Sequence, residues 1–139
     1  MRCVTRLERL YPFSIIMHIF ISFSLCDKVR EIVPLNGFSM LSEIRTSENL
    51  RSKGFEYPNL RTFDICNAKY AHEALSFDYR VETLIPCHLI VKSVEGGTEI
   101  SAQLPAEIFH TLQTDKTEQK MTFLNEVETK LKTIVDSLI

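Results

Sequence analysis

The fold is decided by residues 83–104, TLIPCHLIVKSVEGGTEISAQL, in which two β-rich runs flank a glycine pair. Residues 83–94 are typical of one strand, interrupted at Pro86, and residues 98–104 are typical of the next. Between them, Glu95-Gly96-Gly97 is characteristic of a tight hairpin turn. Strands joined by so short a turn must run antiparallel, so the sequence predicts a mainly antiparallel sheet.

Three further strands and several helices surround this hairpin. Strands are predicted over residues 13–22, 38–45 and 60–66, and helices after Ser24, over residues 68–76, from Pro105 and over residues 116–139. Ser24 with Asp27 forms a capping-box pattern, and Asn67 is a good helix N-cap. The order β-α-β-β-α-β-β-α predicts an α+β fold, with about five strands and helices packed on one side. Residues 1–10 are predicted to be an N-terminal extension and residues 11–139 a single domain.

The last predicted helix carries a repeated apolar stripe. Leu124, Leu131 and Leu138 recur at seven-residue steps beside Val127 and Ile134. This spacing widens the apolar face of the helix and favours a contact with a second copy of the chain. The sequence therefore predicts a homodimer.

Charge and cysteine content exclude several classes of function. Sixteen Lys and Arg residues are spread among eighteen Asp and Glu residues, for a net charge of −2, so nucleic acid is not expected as a partner. Cys3, Cys26, Cys66 and Cys87 never fall at C-x-x-C spacing, which argues against a zinc knuckle or a thioredoxin-type motif. The default expectation is reduced thiols in a cytoplasmic protein.

The N-terminus allows two interpretations. Three arginines in residues 1–9 precede an apolar stretch over residues 10–25, as in a secretory signal. Pro12, Ser14, His18 and Ser22 interrupt that stretch, so a membrane span is not expected. A buried strand suits the same composition and is preferred, because cleavage would remove the opening strand of the fold. The alternative is a form secreted or membrane-tethered through residues 1–25.

Cys66 is the leading candidate for chemistry. It lies between a predicted strand and a helix N-terminus, where the helix dipole favours a thiolate. The simpler interpretation is a small buried apolar residue. Cys87 lies on the core face of its strand by period-two counting, so the two thiols could approach each other as a disulfide or around a shared soft metal.

The neighbouring polar residues do not complete a catalytic group. His72 lies on the helix that follows Asn67 and is predicted to reach back towards Cys66, whereas His88 lies on the opposite strand face from Cys87. Asp64 can pair with Arg61 or Lys69, although a solvated surface charge is the preferred interpretation. No catalytic residue is assigned, enzymatic activity is left open, and cofactor and metal remain undetermined. The candidate ligand or thiol site is Cys66, Asn67, His72 and Cys87.

Three motifs resemble one known family. The run Cys66-Asn67-Ala68-Lys69-Tyr70-Ala71-His72-Glu73-Ala74-Leu75, then Leu84-Ile85-Pro86-Cys87, then Gly96-Gly97-Thr98, resembles the family called domain of unknown function 302. Upstream, Gly37-Phe38 and Leu41-Ser42-Glu43-Ile44 fit the second strand of that family, and the resemblance covers residues 13–112. It implies a curved antiparallel sheet and a dimer, and it implies no established activity.

The chain departs from the family pattern at three positions. Ala68 stands where the family usually has Pro, His88 where it often has Asn, and Asp64 where it has a small residue. Because the sequence shows no complete catalytic constellation, the first hypothesis is a small dimeric binding or structural domain, with a small molecule or metal as its ligand and without turnover. The alternative is a thiol-dependent redox or metal-binding protein centred on Cys66.

Overall fold

The computed structural model describes residues 7–11, 14–19, 25–112 and 118–138. Within these ranges, the structure has six strands: β1 Leu7–Tyr11, β2 Ser14–Ile19, β3 Ser39–Ile44, β4 Leu60–Cys66, β5 Cys87–Val94 and β6 Gly97–Gln103. The same ranges hold five α-helices, α1 Leu25–Leu35, α2 Thr46–Ser52, α3 Ala68–Phe77, α4 Pro105–Leu112 and α5 Glu118–Ser137, and a 3-10 helix over Tyr79–Leu84.

All six strands form one sheet in the order β1-β2-β6-β5-β4-β3, and every neighbouring pair is antiparallel. The β5–β6 hairpin lies in the middle of this order, so the motif predicted from residues 83–104 organises the sheet. The predicted α+β fold class is confirmed. The described residues form one strand more than the five that were predicted. This additional strand is β1, which pairs with β2 and lies mostly within residues 1–10, the predicted N-terminal extension.

The core lies against one face of the sheet. Phe63 of β4, Leu89 of β5 and Ala102 of β6 are direct cross-strand neighbours, and all three are buried. Because side chains alternate along a strand, their sequence neighbours project to the other face. The buried faces of α1 and α5 complete the core with Leu25, Val29, Val33, Phe123, Leu124, Val127, Leu131, Ile134 and Val135.

The start of the strand that carries Cys87 differs from the prediction. The strand predicted from residue 83 begins only at Cys87, because residues 79–84 form the 3-10 helix. Pro86 lacks the backbone N–H that a strand ladder needs, which explains why pairing starts after it. The first predicted strand is confirmed over Ser14–Ile19, whereas residues 13 and 20–22 lie outside the described residues.

The leucine stripe of α5 packs inside its own chain. Leu124, Leu131 and Leu138 are all buried, and Leu131 and Leu138 are almost fully inaccessible. The prediction that this stripe forms a dimer contact is wrong, because the sheet and the other helices already cover it. The predicted start and end of this helix, residues 116–117 and 139, lie outside the described residues.

A half-buried ion-pair network joins α1 to the sheet. Glu43 of β3 accepts hydrogen bonds from Arg30 of α1 at 2.8 Å and from Arg61 of β4 at 2.7 Å. Burial raises the pKa of Glu43, but hydrogen bonding and charge from both arginines outweigh it and hold the pKa below its usual 4.5. Folding therefore favours the charged carboxylate.

Glu43→Gln should destabilise the protein in a pH-dependent manner. Near neutral pH we expect a loss of about 2 kcal/mol, the value of a charge-assisted hydrogen bond. A folded-state pKa below the unfolded value gives stability that is present above about pH 4.5 and lost as the pH falls through the folded-state pKa. Urea unfolding of both proteins across this range should show the difference shrinking in acid. Exposed Glu56→Gln serves as the charge control, and a difference that stays constant with pH would contradict the assignment.

Candidate functional site

A small cavity between the sheet and the helices brings two cysteines together. Cys66 ends β4 and Cys87 begins β5, and Cys87 lies directly opposite Ile65 in the antiparallel register. Both cysteines line a cavity of about 50 Å³ that is partly open to solvent. We call it the thiol cavity. The structure thus places in one cavity the two cysteines that were predicted to approach each other.

The remaining lining of the thiol cavity is mostly apolar. Its walls come from β4, β5, α3, the 3-10 helix, α4 and α5, together with Phe38 just before β3, and they include Ile65, Val81, Leu84 and Phe123. Aromatic packing holds one wall together: the ring centroids of Tyr70 and Phe123 are 5.8 Å apart in an edge-to-face arrangement. The Tyr70 hydroxyl donates to Glu126 at 2.9 Å. The only polar atom of the Tyr70 side chain is therefore already hydrogen-bonded to a side chain of α5.

Asn67 lines the cavity and acts structurally. Its Oδ1 accepts a hydrogen bond from the backbone N–H of Tyr70 at 3.1 Å, which is the N-cap interaction predicted from the sequence. Its Nδ2 donates to the carbonyl of Gly37 at 2.8 Å. Gly37 has φ of 79°, a conformation that favours glycine, at the turn between α1 and β3. Asn67 therefore ties this turn to the start of α3.

Burial keeps the thiols of the cavity protonated. It raises the pKa of Cys66, and burial together with the neighbouring Cys66 sulfur raises the pKa of Cys87 to about 12. The expectation that the N-terminus of α3 lowers the pKa of Cys66 is therefore wrong in direction, because desolvation is the dominant effect. Cys26, Cys66 and Cys87 are all free thiols, and Cys3 lies outside the described residues.

His72 does not join the thiol cavity. It lies on α3 with an exposed side chain, whereas the cavity-facing positions of that helix are Tyr70, Ala71 and Ala74. The 3.6-residue helical period explains the placement, because residues 70, 71 and 74 share a face from which residue 72 points away. The predicted Cys66–His72 pair is not formed.

A second polar cluster lies on the other face of the sheet. Asp64 and His88 are cross-strand neighbours, with 2.7 Å between Asp64 Oδ1 and His88 Nδ1. Ser42 Oγ donates to Asp64 Oδ2 at 2.5 Å. The alternative of an Arg61 or Lys69 partner for Asp64 is wrong, because strand pairing brings Ser42 and His88 closer. Period-two counting on the paired strands is the signal that could have found this contact, once the register was known.

No ready-made metal centre accompanies these clusters. Within the described ranges, no three His, Cys, Asp or Glu side chains converge in the manner of a metal site. Among the helices of those ranges, none has both the length and the apolar content that a membrane crossing requires.

The family model called domain of unknown function DUF302 matches residues 24–138. The chain belongs to the DUF302 family. The crystal structure of an uncharacterized conserved DUF302 protein from Bacillus stearothermophilus is similar to this chain, with a TM-score of 0.83 at 19% sequence identity. The match covers 91% of this chain and 98% of that one, and at this identity it shows the shared DUF302 fold. No curated protein matches this chain.

The structure gives the positions of Asp64, His88 and Ala68, the three residues predicted to depart from the DUF302 pattern. Asp64 and His88, two of these three predicted departures, are the pair that contacts across β4 and β5. Ala68, the third, is the first residue of α3 and is exposed. All three therefore lie outside the lining of the thiol cavity.

Proposed function

We propose that this DUF302 protein is a small binding domain without catalytic turnover, and that the thiol cavity is its ligand site. The observation that carries the proposal is the apolar lining of a partly open cavity in which the polar atoms of Asn67 and Tyr70 already have partners. Such a lining binds by exclusion of water rather than by hydrogen bonds.

The size of the cavity limits the ligand. At about 50 Å³ it is roughly a third of an apolar cavity that admits benzene. We therefore expect it to hold a small apolar group, such as a short alkyl chain. Protonated thiols and the outward position of His72 support a role without turnover. A saturable enzymatic activity that disappears in Cys66→Ala would overturn this part of the proposal.

Binding can be tested with xenon as a small apolar probe. We expect xenon to shift the methyl NMR signals of Val81, Leu84 and Val127, which line the cavity. Ala71→Leu fills the cavity and should abolish these shifts, whereas Ala68→Leu, on the exposed start of the same helix, should preserve them. Amide spectra establish that both variants fold, and Ala71→Val offers a milder filling if the leucine disrupts packing. Equal shifts in Ala71→Leu and the parent protein would refute the site.

A thiol-dependent redox or metal-binding role is the second candidate. The observation that favours it is the presence of Cys66 and Cys87 in the same cavity, near enough for one sulfur to raise the pKa of the other. Neutral thiols still bind soft metals when the metal displaces their protons.

The dimer remains a proposal, and we assign it to a different surface from α5. β3 is an edge strand, and it exposes Leu41 and Ile44 beside an unpaired strand edge. Edge strands are the usual templates for strand pairing between chains. A second copy of the chain can extend the sheet antiparallel at this edge, with the same strand contributed by both copies.

Leu41→Lys should weaken this dimer. A lysine on an edge strand opposes pairing because its charge would have to be desolvated in the interface. Sedimentation equilibrium should show a dissociation constant raised by at least about tenfold, which is 1.4 kcal/mol. Leu75→Lys, an exposed leucine on α3, is the matched control and should leave the constant unchanged. Equal effects of the two variants would remove β3 from the interface.

We propose a cytoplasmic location for two reasons: the described cysteines are free thiols, and the N-terminal strands β1 and β2 are part of the sheet. Removal of residues 1–25 would delete β1 and β2, a third of the six-stranded sheet. The exported or tethered alternative predicts a shortened or membrane-bound protein. Intact-mass measurement on protein from the native cell distinguishes the two.

A further inference from the structure

The thiol cavity offers two soft donor atoms and little else. Asn67 uses its side-chain oxygen and nitrogen on Tyr70 and Gly37, and the Tyr70 hydroxyl is bonded to Glu126. The sulfurs of Cys66 and Cys87 belong to free thiols. A ligand that needs more than apolar contact in this cavity must therefore be one that binds sulfur.

The number of sulfurs selects among soft metals. Structural zinc takes four ligands, and the described residues provide no third His, Cys, Asp or Glu at this site. Thiolate ligands also select Cu(I), a soft ion of single positive charge that accepts two ligands in a linear arrangement. Two thiolates on opposite sides of the ion satisfy it.

We propose that the thiol cavity binds one Cu(I) ion between the sulfurs of Cys66 and Cys87 as a two-coordinate bis-thiolate. This inference rests on the second candidate function, metal binding at the same cavity, and names the metal. Two S–H bonds break, two Cu–S bonds form, and two protons pass to solvent. No electron is transferred, and the product is an anion with one negative charge.

The start of α3 offsets part of the cost of burying that anion. α3 begins two residues after Cys66 and has no acidic residue in its first turn. The partial positive charge at the start of this ten-residue helix therefore faces the bis-thiolate without a competing carboxylate. The apolar walls of the cavity limit access of water to the ion, which protects a bound Cu(I) from exchange.

The main test is an anaerobic Cu(I) titration against a coloured Cu(I) chelator. All proteins carry Cys3→Ser, so that three cysteines remain: Cys26, Cys66 and Cys87. The parent should bind one Cu(I) per chain, and Cys66→Ser and Cys87→Ser should each lose at least about 100-fold in affinity, since loss of a ligand exceeds the loss of a supporting contact. Cys26→Ser, another half-buried free cysteine, should stay within about twofold of the parent.

Two further measurements use protein in which Cys66 and Cys87 are not substituted. Cu(I) should protect Cys66 and Cys87 from alkylation together, with Cys26 unprotected, and X-ray absorption should report two sulfur neighbours of the metal. Equal affinity in Cys66→Ser and the parent, protection of Cys26 alone, or four sulfurs around the metal would overturn the proposal. If Cu(I) fails to bind while xenon still enters the cavity, the copper assignment falls and the binding function stands. If neither binds, both fall.

Discussion

Phe63→Ala is expected to destabilise the protein by about 4 kcal/mol, the usual cost of truncating a buried aromatic residue to alanine. Phe63 is fully buried in β4, with Glu43 opposite it on β3 and Leu89 opposite it on β5. The substitution removes apolar contacts between β4 and the core and leaves a cavity that neighbouring strands cannot close. Since domains of this size are stable by only about 5–15 kcal/mol, a large part of the stability would be lost.

Urea unfolding at neutral pH measures this loss directly. Phe55→Ala is the matched control, because Phe55 is 64% exposed and its truncation should change the unfolding free energy by no more than about 0.5 kcal/mol. If Phe63→Ala lowered the unfolding free energy by no more than Phe55→Ala does, Phe63 would not be part of the core.

The second large effect concerns the reactivity of Cys87. Because the thiolate is the reactive form, raising the pKa from 9.0 to about 12 should slow alkylation about 1000-fold relative to a free cysteine near neutral pH. Burial is the main cause, and the neighbouring Cys66 adds to it. Unfolding in urea removes both causes and should restore ordinary reactivity.

Mass spectrometry after timed alkylation can follow each cysteine separately. In the folded protein we expect the slowest rate at Cys87 and a faster one at Cys66, and in urea the rates should converge. Cys66→Ser removes the neighbouring thiol but not the burial, so it should accelerate Cys87 only modestly. A folded-state rate at Cys87 equal to the urea rate would show that its sulfur is not buried.

Several features of the fold could be predicted because they depend on neighbouring residues in the chain. Asn67 caps α3 as expected, since a cap needs only the first turn of its own helix. The turn between β5 and β6 has Gly96 at φ of 79°. This backbone conformation favours glycine, so the glycine pair in the sequence was enough to predict the turn. The 3-10 helix before Pro86 could not be predicted, because so short a helix has no strong periodic signal.

The strand faces of Cys87 and His88 could also be predicted from neighbouring residues in the chain. Period-two counting assigned Cys87 to the core face and His88 to the opposite face, and the structure places them so. The cavity itself could not be predicted, because α5 supplies Phe123, Leu124 and Val127 from more than thirty residues away. The pairing of Asp64 with Ser42 and His88 likewise depends on a register that no single strand encodes.

The amino-acid sequence by itself determined the Asn67 cap of α3, the hairpin, the antiparallel sheet and the family, because each depends on local backbone preferences or on a short motif; the predicted Ser24 cap lies outside the described residues. Only the tertiary structure decided that the leucines of α5 are buried in their own chain, that His72 points away from Cys66, and that both cavity thiols have raised pKa values. The physical reason is that burial and desolvation are set by what packs around a side chain, and those neighbours come from distant parts of the chain.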